Sequence, residues 1–251
     1  MSIIRIESCT STNSFLKDLS DKQTLEEGTL VATSEQRAGK GQAGNYWEAE
    51  PGKNITLSLI LYPDFLPIQQ HFLLSEVVAL GVKDVLDTYT KEIFVKWPND
   101  IYYKDKKLGG ILIENDIMGQ SISRSIVGIG INVNQEIFRP ETPNPISIKQ
   151  ITGKETNLDV LLEQISGAIS NRYEQLKNEE INTIVDDYHR SLYRNKGFYP
   201  FRDSNHSFLA EIESVGNDGF LHLRNDKGEP LRYAFKEISF KLRATEFIGS
   251  E

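Results

Sequence analysis

Four apolar segments between residues 93 and 134 constrain the fold of this chain more than any other feature. They cover residues 93–97, 101–103, 107–115 and 121–134, and short polar turns such as Pro98-Asn-Asp100 separate them. Apolar runs of this length that alternate with turn residues indicate successive β-strands. The middle of the chain is therefore predicted to be a run of strands joined by tight turns.

The segments on both sides of this region add helices and further strands. Helical periodicity is found at residues 11–19, 69–88, 157–177 and 179–193. Short β-rich or alternating runs are found at residues 29–33 and 54–61. Three prolines within residues 139–146 exclude a helix or a central strand there. This mixture of helices and strands predicts an α+β body.

The pattern changes after residue 196, where short alternating segments are joined by turns rich in Asn, Asp and Gly. These segments lie near residues 208–213, 220–224, 231–235 and 238–242. Several short strands at this spacing are typical of a small barrel. We therefore expect two domains, an α+β body over residues 1–195 and an all-β domain over residues 196–251.

Composition excludes several classes of protein. The 251 residues carry 28 Lys+Arg and 36 Asp+Glu, and the net charge of −8 disfavours bulk binding to a nucleic-acid backbone. Cys9 is the single cysteine, which excludes an intrachain disulfide and fits a reducing compartment. The apolar runs are too short for a membrane-spanning helix, and the N-terminus lacks the pattern of a signal peptide. We expect a cytoplasmic protein without DNA or membrane as partners.

The first motif that could carry chemistry is the glycine-rich string Gly39-Lys-Gly-Gln-Ala-Gly44. It matches the letters G-x-G-x-x-G of a dinucleotide-binding fold. In that fold the motif opens a helix, whereas residues 45–51 have no helical pattern with an apolar face. Two interpretations remain open. The string is either a plain flexible loop or a loop whose backbone N–H groups close over an anion, with Arg37 and Lys40 adding charge.

The string Lys96-Trp-Pro-Asn-Asp100 follows a hydrophobic strand. Pro98 favours a turn, and Asn99 and Asp100 are favoured turn residues. One interpretation is therefore an ordinary β-turn. The other is a rigid turn that presents Asp100 to Mg²⁺ or to a polar ligand.

Two glycine-bearing strand segments follow. Lys107-Leu-Gly-Gly-Ile-Leu112 has two adjacent glycines, which are typical of a strand that a ligand or another backbone approaches closely. Lys107 is either a solvated edge residue or a cation that neutralises a carboxylate or phosphate. Gly128-Ile-Gly-Ile-Asn132 has glycines on one face and ends in an amide that could read a base edge. The sequence contains neither a G-x-S-x-G nor a Walker-type motif, so a serine hydrolase and a P-loop fold have little support.

Taken in order, these elements resemble those of biotin protein ligases. The matching elements are Ser11-Thr-Asn13, residues 39–47, Lys96–Asp100 with residues 107–112, and residues 128–132. The resemblance implies a mixed or antiparallel sheet with helices, similar to the catalytic core of class II aminoacyl-tRNA synthetases, and a C-terminal SH3-like β-barrel. It also implies a two-step reaction. Biotin and ATP form biotinyl-5'-AMP, and a lysine of a biotin carboxyl carrier protein then takes the biotinyl group.

The resemblance also has implications for cofactors and partners. Mg²⁺ would accompany ATP. Many members of the family carry an N-terminal DNA-binding domain, whereas this chain begins shortly before Ser11, so we expect the monofunctional ligase without a repressor role. The strands of residues 93–134 could also pair between subunits in a homodimer.

Each matched residue receives an expected role by position. The biotin-binding set is Ser11, Thr12, Asn13, Gln36, Lys40, Gly41, Gln42, Lys107, Gly110 and Leu112. The ATP-binding set is Gly39, Lys40, Trp47, Asn99, Lys107 and Asn132, of which Trp47 would pack on adenine and Asn132 would read it. Lys107 and Asp100 are the expected catalytic residues, with Lys107 contacting the biotin carboxyl and the α-phosphate. Asp100 is also the expected metal ligand.

The glycine loop departs from the family pattern G-R-G-R-x-G-R-x-W. Lys40, Gln42 and Asn45 stand where the pattern has arginines, so one charge is kept and two are lost. Each lost arginine removes a bidentate contact to phosphate or carboxylate. Two alternative functions remain, a lipoate or octanoyl transferase on a related fold, and a non-catalytic module that binds or senses biotin.

Overall fold

A seven-stranded mixed sheet forms the centre of the structure, a computed structural model in which residues 2–241 are described apart from the side chain of Ala43. Its strands are β1 (Ile3–Cys9), β2 (Leu30–Gln36), β3 (Ile55–Leu61), β4 (Ile93–Lys96), β5 (Asp100–Tyr103), β6 (Lys106–Met118) and β7 (Ser121–Ile131). They lie in the order β1-β2-β3-β7-β6-β5-β4. β1 and β2 are parallel, and the remaining neighbours are antiparallel.

The strands predicted between residues 93 and 134 are present as β4 to β7, and two of their ends differ from the prediction by more than one residue. β6 continues to Met118 because the turn that follows is tight, with Gly119 at a φ of 64°. β7 ends at Ile131 although the predicted strand continues to residue 134. The side chain of Asn134 bonds the backbone of Thr156 instead, which directs the chain away from the sheet.

Five helices accompany the sheet. They are α1 (Thr12–Lys22), α2 (Phe72–Leu86), α3 (Ile148–Thr152), α4 (Leu158–Lys177) and α5 (Ile181–Ser191). Leu57 and Leu59 of β3 pack into one cluster with α2, α4 and α5, whereas Ile60 packs into a second cluster with α1. The sheet is therefore covered on both faces, and α1 lies on the face opposite to the three long helices. The α+β prediction is confirmed.

Several elements lie where the sequence predicts no element, and one begins at a different residue from the predicted one. β1 has charged residues at alternate positions, Arg5 and Glu7, and becomes a strand by pairing with β2. α3 has five residues, too few for a periodic signal, and a capping box at Ser147 stabilises it. The predicted helix at residues 69–88 begins at Phe72, after a single 3₁₀ turn, Ile68–Gln70. None of the helices described here combines the length and apolar character needed to cross a membrane.

The C-terminal part forms a second, antiparallel sheet of five strands. These are β8 (Tyr199–Arg202), β9 (Ser207–Val215), β10 (Leu221–Asn225), β11 (Pro230–Tyr233) and β12 (Ser239–Phe240), in the order β11-β10-β9-β8-β12. β8 has no counterpart among the predicted strands. Leu242, which ends the last predicted strand, and the remaining residues to 251 lie outside the described residues. The second sheet packs against the body, where Trp97 Nε1 donates to the Gly219 carbonyl at 3.0 Å.

Candidate active site

A cavity lies over the glycine-bearing strands β6 and β7, beside the N-terminus of α1. We call it the first cavity. Its lining includes all ten residues of the expected biotin-binding set, namely Ser11, Thr12, Asn13, Gln36, Lys40, Gly41, Gln42, Lys107, Gly110 and Leu112. Trp47, Asn99 and Asp100 line it as well. Residues that are far apart in sequence are therefore brought together in one place.

The floor of the first cavity is a hydrogen-bond network around the buried residues Thr12, Asn13 and Ser58. Gln36 Oε1 accepts from the backbone N–H of Thr12 at 2.8 Å and from its hydroxyl at 3.1 Å. Ser58 Oγ lies 2.7 Å from Thr12 Oγ1 and 2.5 Å from Asn13 Oδ1, and Asn13 Nδ2 donates to Glu114 at 2.7 Å. Because its carbonyl oxygen is used by Thr12, Gln36 keeps its amide N–H₂ for other acceptors.

Ser58 is a site residue that the sequence-based assignment misses. It is fully buried in β3, where Leu57 and Leu59 point to the opposite face. The available signal is the polar pair Thr56 and Ser58, two residues apart in an otherwise apolar strand, because side chains two apart share one face. Thr56 also lines the first cavity.

The glycines of β6 and β7 allow other residues to lie directly on the sheet. A Cβ atom at Gly128 would overlap the Asn13 side chain, and one at Gly130 would overlap the Trp47 indole. At Gly110 a Cβ would come within 3.3 Å of the same indole. The predicted close approach at these glycines is therefore made by Asn13 and by Trp47.

Lys107 and Asp100 form an ion pair at the wall of the first cavity. Their Nζ and Oδ1 atoms are 2.7 Å apart, and both side chains are about one quarter exposed, at 27% and 21%. Lys107 Nζ also lies 5.6 Å from the centre of the Trp47 ring. Asn99 braces the turn before Asp100, because its Nδ2 donates to the Ile111 carbonyl at 2.6 Å. The wall of the first cavity thus holds a paired cation and carboxylate on a rigid turn and strand.

A second cavity adjoins the first. Its lining is Asn45, Tyr46, Trp47, Glu48, Lys107, Asn132, Arg139, Glu141, Thr142, Pro143 and Pro145. Trp47 and Lys107 line both cavities, so they stand at the boundary. Asn132 is buried, and its Nδ2 donates to the carbonyls of Ile146 at 3.1 Å and Lys107 at 3.4 Å.

The segment of residues 139–145 is a second feature that the sequence-based site lacks. Glu48 attaches it to the glycine loop, accepting from the Arg139 backbone N–H at 3.0 Å and from the Thr142 hydroxyl. Its prolines exclude regular structure, but no local signal shows that it lies against Trp47. Only the folded chain brings these two loops together.

The glycine loop contains no dinucleotide-type helix. One 3₁₀ turn, Gln42–Gly44, is followed by extended chain. Gly39 and Arg37 line neither cavity. The sequence-based prediction places Gly39 in contact with ATP and the charge of Arg37 beside a bound anion. Gly39 instead accepts from the Trp47 backbone N–H at 2.9 Å, which closes the loop. Lys40 Nζ donates to Ser14 Oγ at 2.8 Å and so ties the loop to α1.

The described residues contain no group of three or more His, Cys, Asp or Glu arranged to hold a metal ion. Asp100 is the one carboxylate among the residues that line the first cavity. An ion shared with ligand phosphates needs fewer protein ligands.

Curated proteins with similar sequences are ligases. The bifunctional ligase/repressor BirA of Bacillus subtilis (strain 168) is 31% identical over 212 residues, which are 80% of this chain and 63% of that protein. The biotin--protein ligase of Homo sapiens is 26% identical over 243 residues, which are 90% of this chain and 32% of that protein. The chain thus spans less than two thirds of the length of these two relatives.

Solved structures support the fold. The biotin protein ligase from Aquifex aeolicus in complex with biotin and ATP superposes with a TM-score of 0.78 at 24% identity, covering 96% of this chain and 98% of that one. A sequence model of the Biotin/lipoate A/B protein ligase family matches residues 5–132, just over half of the chain. These residues contain β2 to β7, all of β1 except its first two residues, and every residue that lines the first cavity. The chain belongs to the biotin/lipoate A/B protein ligase family.

Proposed function

We propose that this chain is a biotin protein ligase, which activates biotin with ATP and transfers it to a lysine of a biotin carboxyl carrier protein. The observation that carries the proposal is the Lys107–Asp100 pair at the boundary of two cavities. One cavity has the polar groups for a small neutral head group, and the other has room for a nucleotide. The names of the relatives support the same activity.

The first cavity suits the ureido ring of biotin, which both donates and accepts hydrogen bonds. Ser11 is buried at the N-cap of α1, but its side chain caps no backbone N–H, so the hydroxyl is free for a ligand. Gln36 keeps its amide N–H₂ as a donor, as described above. The rest of biotin is apolar and would lie against the Trp47 indole and Leu112, which line the same cavity.

In the first step the biotin carboxylate attacks the α-phosphorus of ATP, giving biotinyl-5'-AMP and pyrophosphate. The nucleophile is already ionised, so no general base is needed. Both reactants are anions, and negative charge spreads over the phosphoryl oxygens in the transition state. The step therefore depends on alignment and positive charge. Lys107 supplies that charge at the boundary where the carboxylate and the phosphate would meet.

Mg²⁺ fits this site as an ion held with the nucleotide. Mg²⁺ bound to phosphates commonly takes only one or two protein carboxylates. Asp100 meets this need, since it lines the cavity on a turn braced by Asn99. When bound, the ion neutralises phosphate charge and thereby favours nucleophilic attack.

The adenine would occupy the second cavity. Both amide protons of Asn132 are used by backbone carbonyls, so its Oδ1 remains as an acceptor for an exocyclic amino group. Trp47 and the prolines of residues 143 and 145 supply flat apolar surfaces for the base. Lys40 would hold the glycine loop over the phosphate.

In the second step a carrier lysine attacks the mixed anhydride, and AMP leaves. Water must be excluded before that, or the adenylate hydrolyses. The glycine loop provides this cover, because Gly39, Glu48 and Lys40 attach it to Trp47, to residues 139–142 and to α1.

We also propose the division into a catalytic domain, residues 1–195, resembling class II aminoacyl-tRNA synthetases, and an SH3-like domain, residues 196–251. Two separate sheets support it, the second antiparallel throughout and beginning at Tyr199.

The decisive experiment incubates the purified chain with ATP, a carrier domain and either biotin or lipoic acid. Streptavidin detects biotinylation, and mass spectrometry detects either product on the carrier lysine. Biotin transfer that needs ATP supports the proposal. Transfer of lipoic acid alone supports the other branch of the family, and biotin binding without transfer identifies a binding module.

A further inference from the structure

Lys96 lies beside the reacting centre but has no assigned role. It stands opposite Asp100 in the register of β4 and β5. Directly opposed residues of an antiparallel pair point to the same face, with Cβ atoms roughly 5 Å apart. Lys96 and Lys107 therefore approach Asp100 from two neighbouring strands, β4 and β6.

Lys96 is held by aromatic groups and not by a carboxylate. Its Nζ donates to the Tyr102 hydroxyl at 2.9 Å and lies 4.6 Å from the centre of the Tyr102 ring. Phe240 of the second sheet lies on another side, with its ring centre at 5.4 Å. Within residues 2–241 Lys96 makes no ion pair, whereas Asp100 is paired with Lys107. Aromatic faces attract a cation without neutralising it, so the Lys96 charge remains available.

The charges around Lys96 act on one another. Burial lowers the pKa of Lys96, and the cations Lys107 and Arg194 lower it further, whereas Asp100 opposes the change. Asp100 is thus the anion that favours charged Lys96. The remaining neighbours, Tyr102 and Phe240, carry no charge at neutral pH.

The proposed reaction requires Lys107 to share its charge between Asp100 and the ligand. A lysine that binds the carboxylate of biotin and the α-phosphate cannot keep a 2.7 Å contact to Asp100 at full strength. Asp100 would then lose the full contact with its one ion-pair partner among the described residues, even where Mg²⁺ binds on the nucleotide side. A second cation on the opposite side of Asp100 would keep the carboxylate oriented during this exchange.

We propose that Lys96 is a positioning residue that supplies the counter-charge for Asp100 when Lys107 turns to the ligand. The inference rests on the proposed function, since it concerns the same site. Lys96 acts through Asp100 and does not line either cavity. Because Phe240 holds Lys96 in place, the second sheet contributes to the position of the reacting groups.

The test compares Lys96→Met with Lys96→Arg in biotin-dependent pyrophosphate release. Methionine keeps the length of the side chain without the charge, and arginine restores the charge. We expect Lys96→Met to lower kcat about tenfold or more, with the KM for biotin changed less than about twofold. Lys96→Arg is expected to recover kcat to within about threefold of the wild type. A purely structural role of Lys96 would not lower kcat while leaving the KM for biotin nearly unchanged, and arginine would not restore kcat.

Lys104→Met is the matched control. Lys104 also lies over a tyrosine ring, 5.4 Å from the centre of Tyr103, but it is exposed and paired with Glu92. Its loss should leave kcat unchanged. If Lys96→Met keeps the wild-type kcat, or if Lys96→Arg is as impaired as Lys96→Met, the inference is wrong.

Two further outcomes are separable. If Lys96→Met does not fold, the inference is tested with Tyr102→Phe, which removes only the hydroxyl that accepts from Lys96 Nζ. We expect this variant to lower kcat about threefold or more, and an unchanged kcat overturns the inference. A wild-type chain that releases no pyrophosphate contradicts the proposed function instead. An active wild type with an equally active Lys96→Met contradicts only the role of Lys96.

Discussion

Lys107 Nζ lies 2.7 Å from Asp100 Oδ1, at the boundary of the two cavities. Lys107 belongs to β6 and Asp100 to β5, so the pair joins two neighbouring strands beneath the Trp47 ring. In this arrangement the cation is oriented before any ligand arrives. Its attraction to Asp100 must be exchanged for attraction to the reacting anions, which makes the pair the centre of the predictions below.

Replacing Lys107 by alanine should impair formation of the adenylate. The substitution removes the cation that stabilises charge on the α-phosphoryl group. We expect biotin-dependent pyrophosphate release to fall at least about tenfold, equivalent to about 1.4 kcal/mol. Lys106→Ala, at the exposed neighbouring residue, serves as the control. A wild-type rate in Lys107→Ala would remove Lys107 from its proposed role.

Gln42→Arg should slow the escape of biotinyl-5'-AMP from the enzyme. Gln42 lines the first cavity, and its Oε1 is buried without a hydrogen-bond partner among the described residues. An arginine there would add a bidentate donor for phosphate or carboxylate. The half-life of the bound adenylate is measured after rapid gel filtration, with the exposed Gln23→Arg as control. Equal half-lives in the wild type and Gln42→Arg would contradict this expectation.

Ser58→Ala should weaken biotin binding more than it slows turnover. Without the hydroxyl, Thr12 Oγ1 and Asn13 Oδ1 lose a buried partner, at a cost of about 1–3 kcal/mol. We expect the KM for biotin to rise about tenfold, with kcat changed much less at saturating biotin. Ser125→Ala is matched, since that serine is equally buried but donates to Asn115, away from the cavity. A similar KM in both variants would exclude a specific role for Ser58.

Glu76 should make the stability of the fold depend on pH. It is fully buried in α2, and neither carboxyl oxygen has a partner in the described part of the chain. Burial raises the pKa of its carboxyl from 4.5 to about 8. Between these values the folded state keeps a proton that the unfolded chain loses, so the free energy of unfolding falls as pH rises.

Glu76→Gln removes this titration and should flatten the pH profile. Relative to this variant, the free energy of unfolding of the wild type should fall by up to about 1.4 kcal/mol per pH unit between the two pKa values. Above the higher pKa value it should not fall further. Urea unfolding between pH 5 and about 8.5 measures the difference. Glu163→Gln, at an exposed position of α4, should follow the wild-type profile. Parallel profiles for the wild type and Glu76→Gln would show that Glu76 is ionised in the fold.

Much of the strand pattern and of the first cavity is predictable because its signals are local. Turn residues bound β4 to β7, and the glycines at 110, 128 and 130 mark the places where Asn13 and Trp47 lie on the sheet. Local patterns are less informative where pairing defines the element. β1 is a strand because β2 lies beside it, and β8 because β9 does.

The amino-acid sequence by itself determined the α+β class, since apolar period and turn chemistry are properties of neighbouring residues. The residues around the first cavity followed from motifs that resemble those of biotin protein ligases. Only the tertiary structure showed the hydroxyl of Ser58 between Thr12 and Asn13, and the second cavity, where Glu48 holds residues 139–142. It likewise showed Lys96 facing Asp100 under a ring from the second sheet. These contacts join distant parts of the chain, and their formation depends on how the whole core packs, which no local pattern encodes.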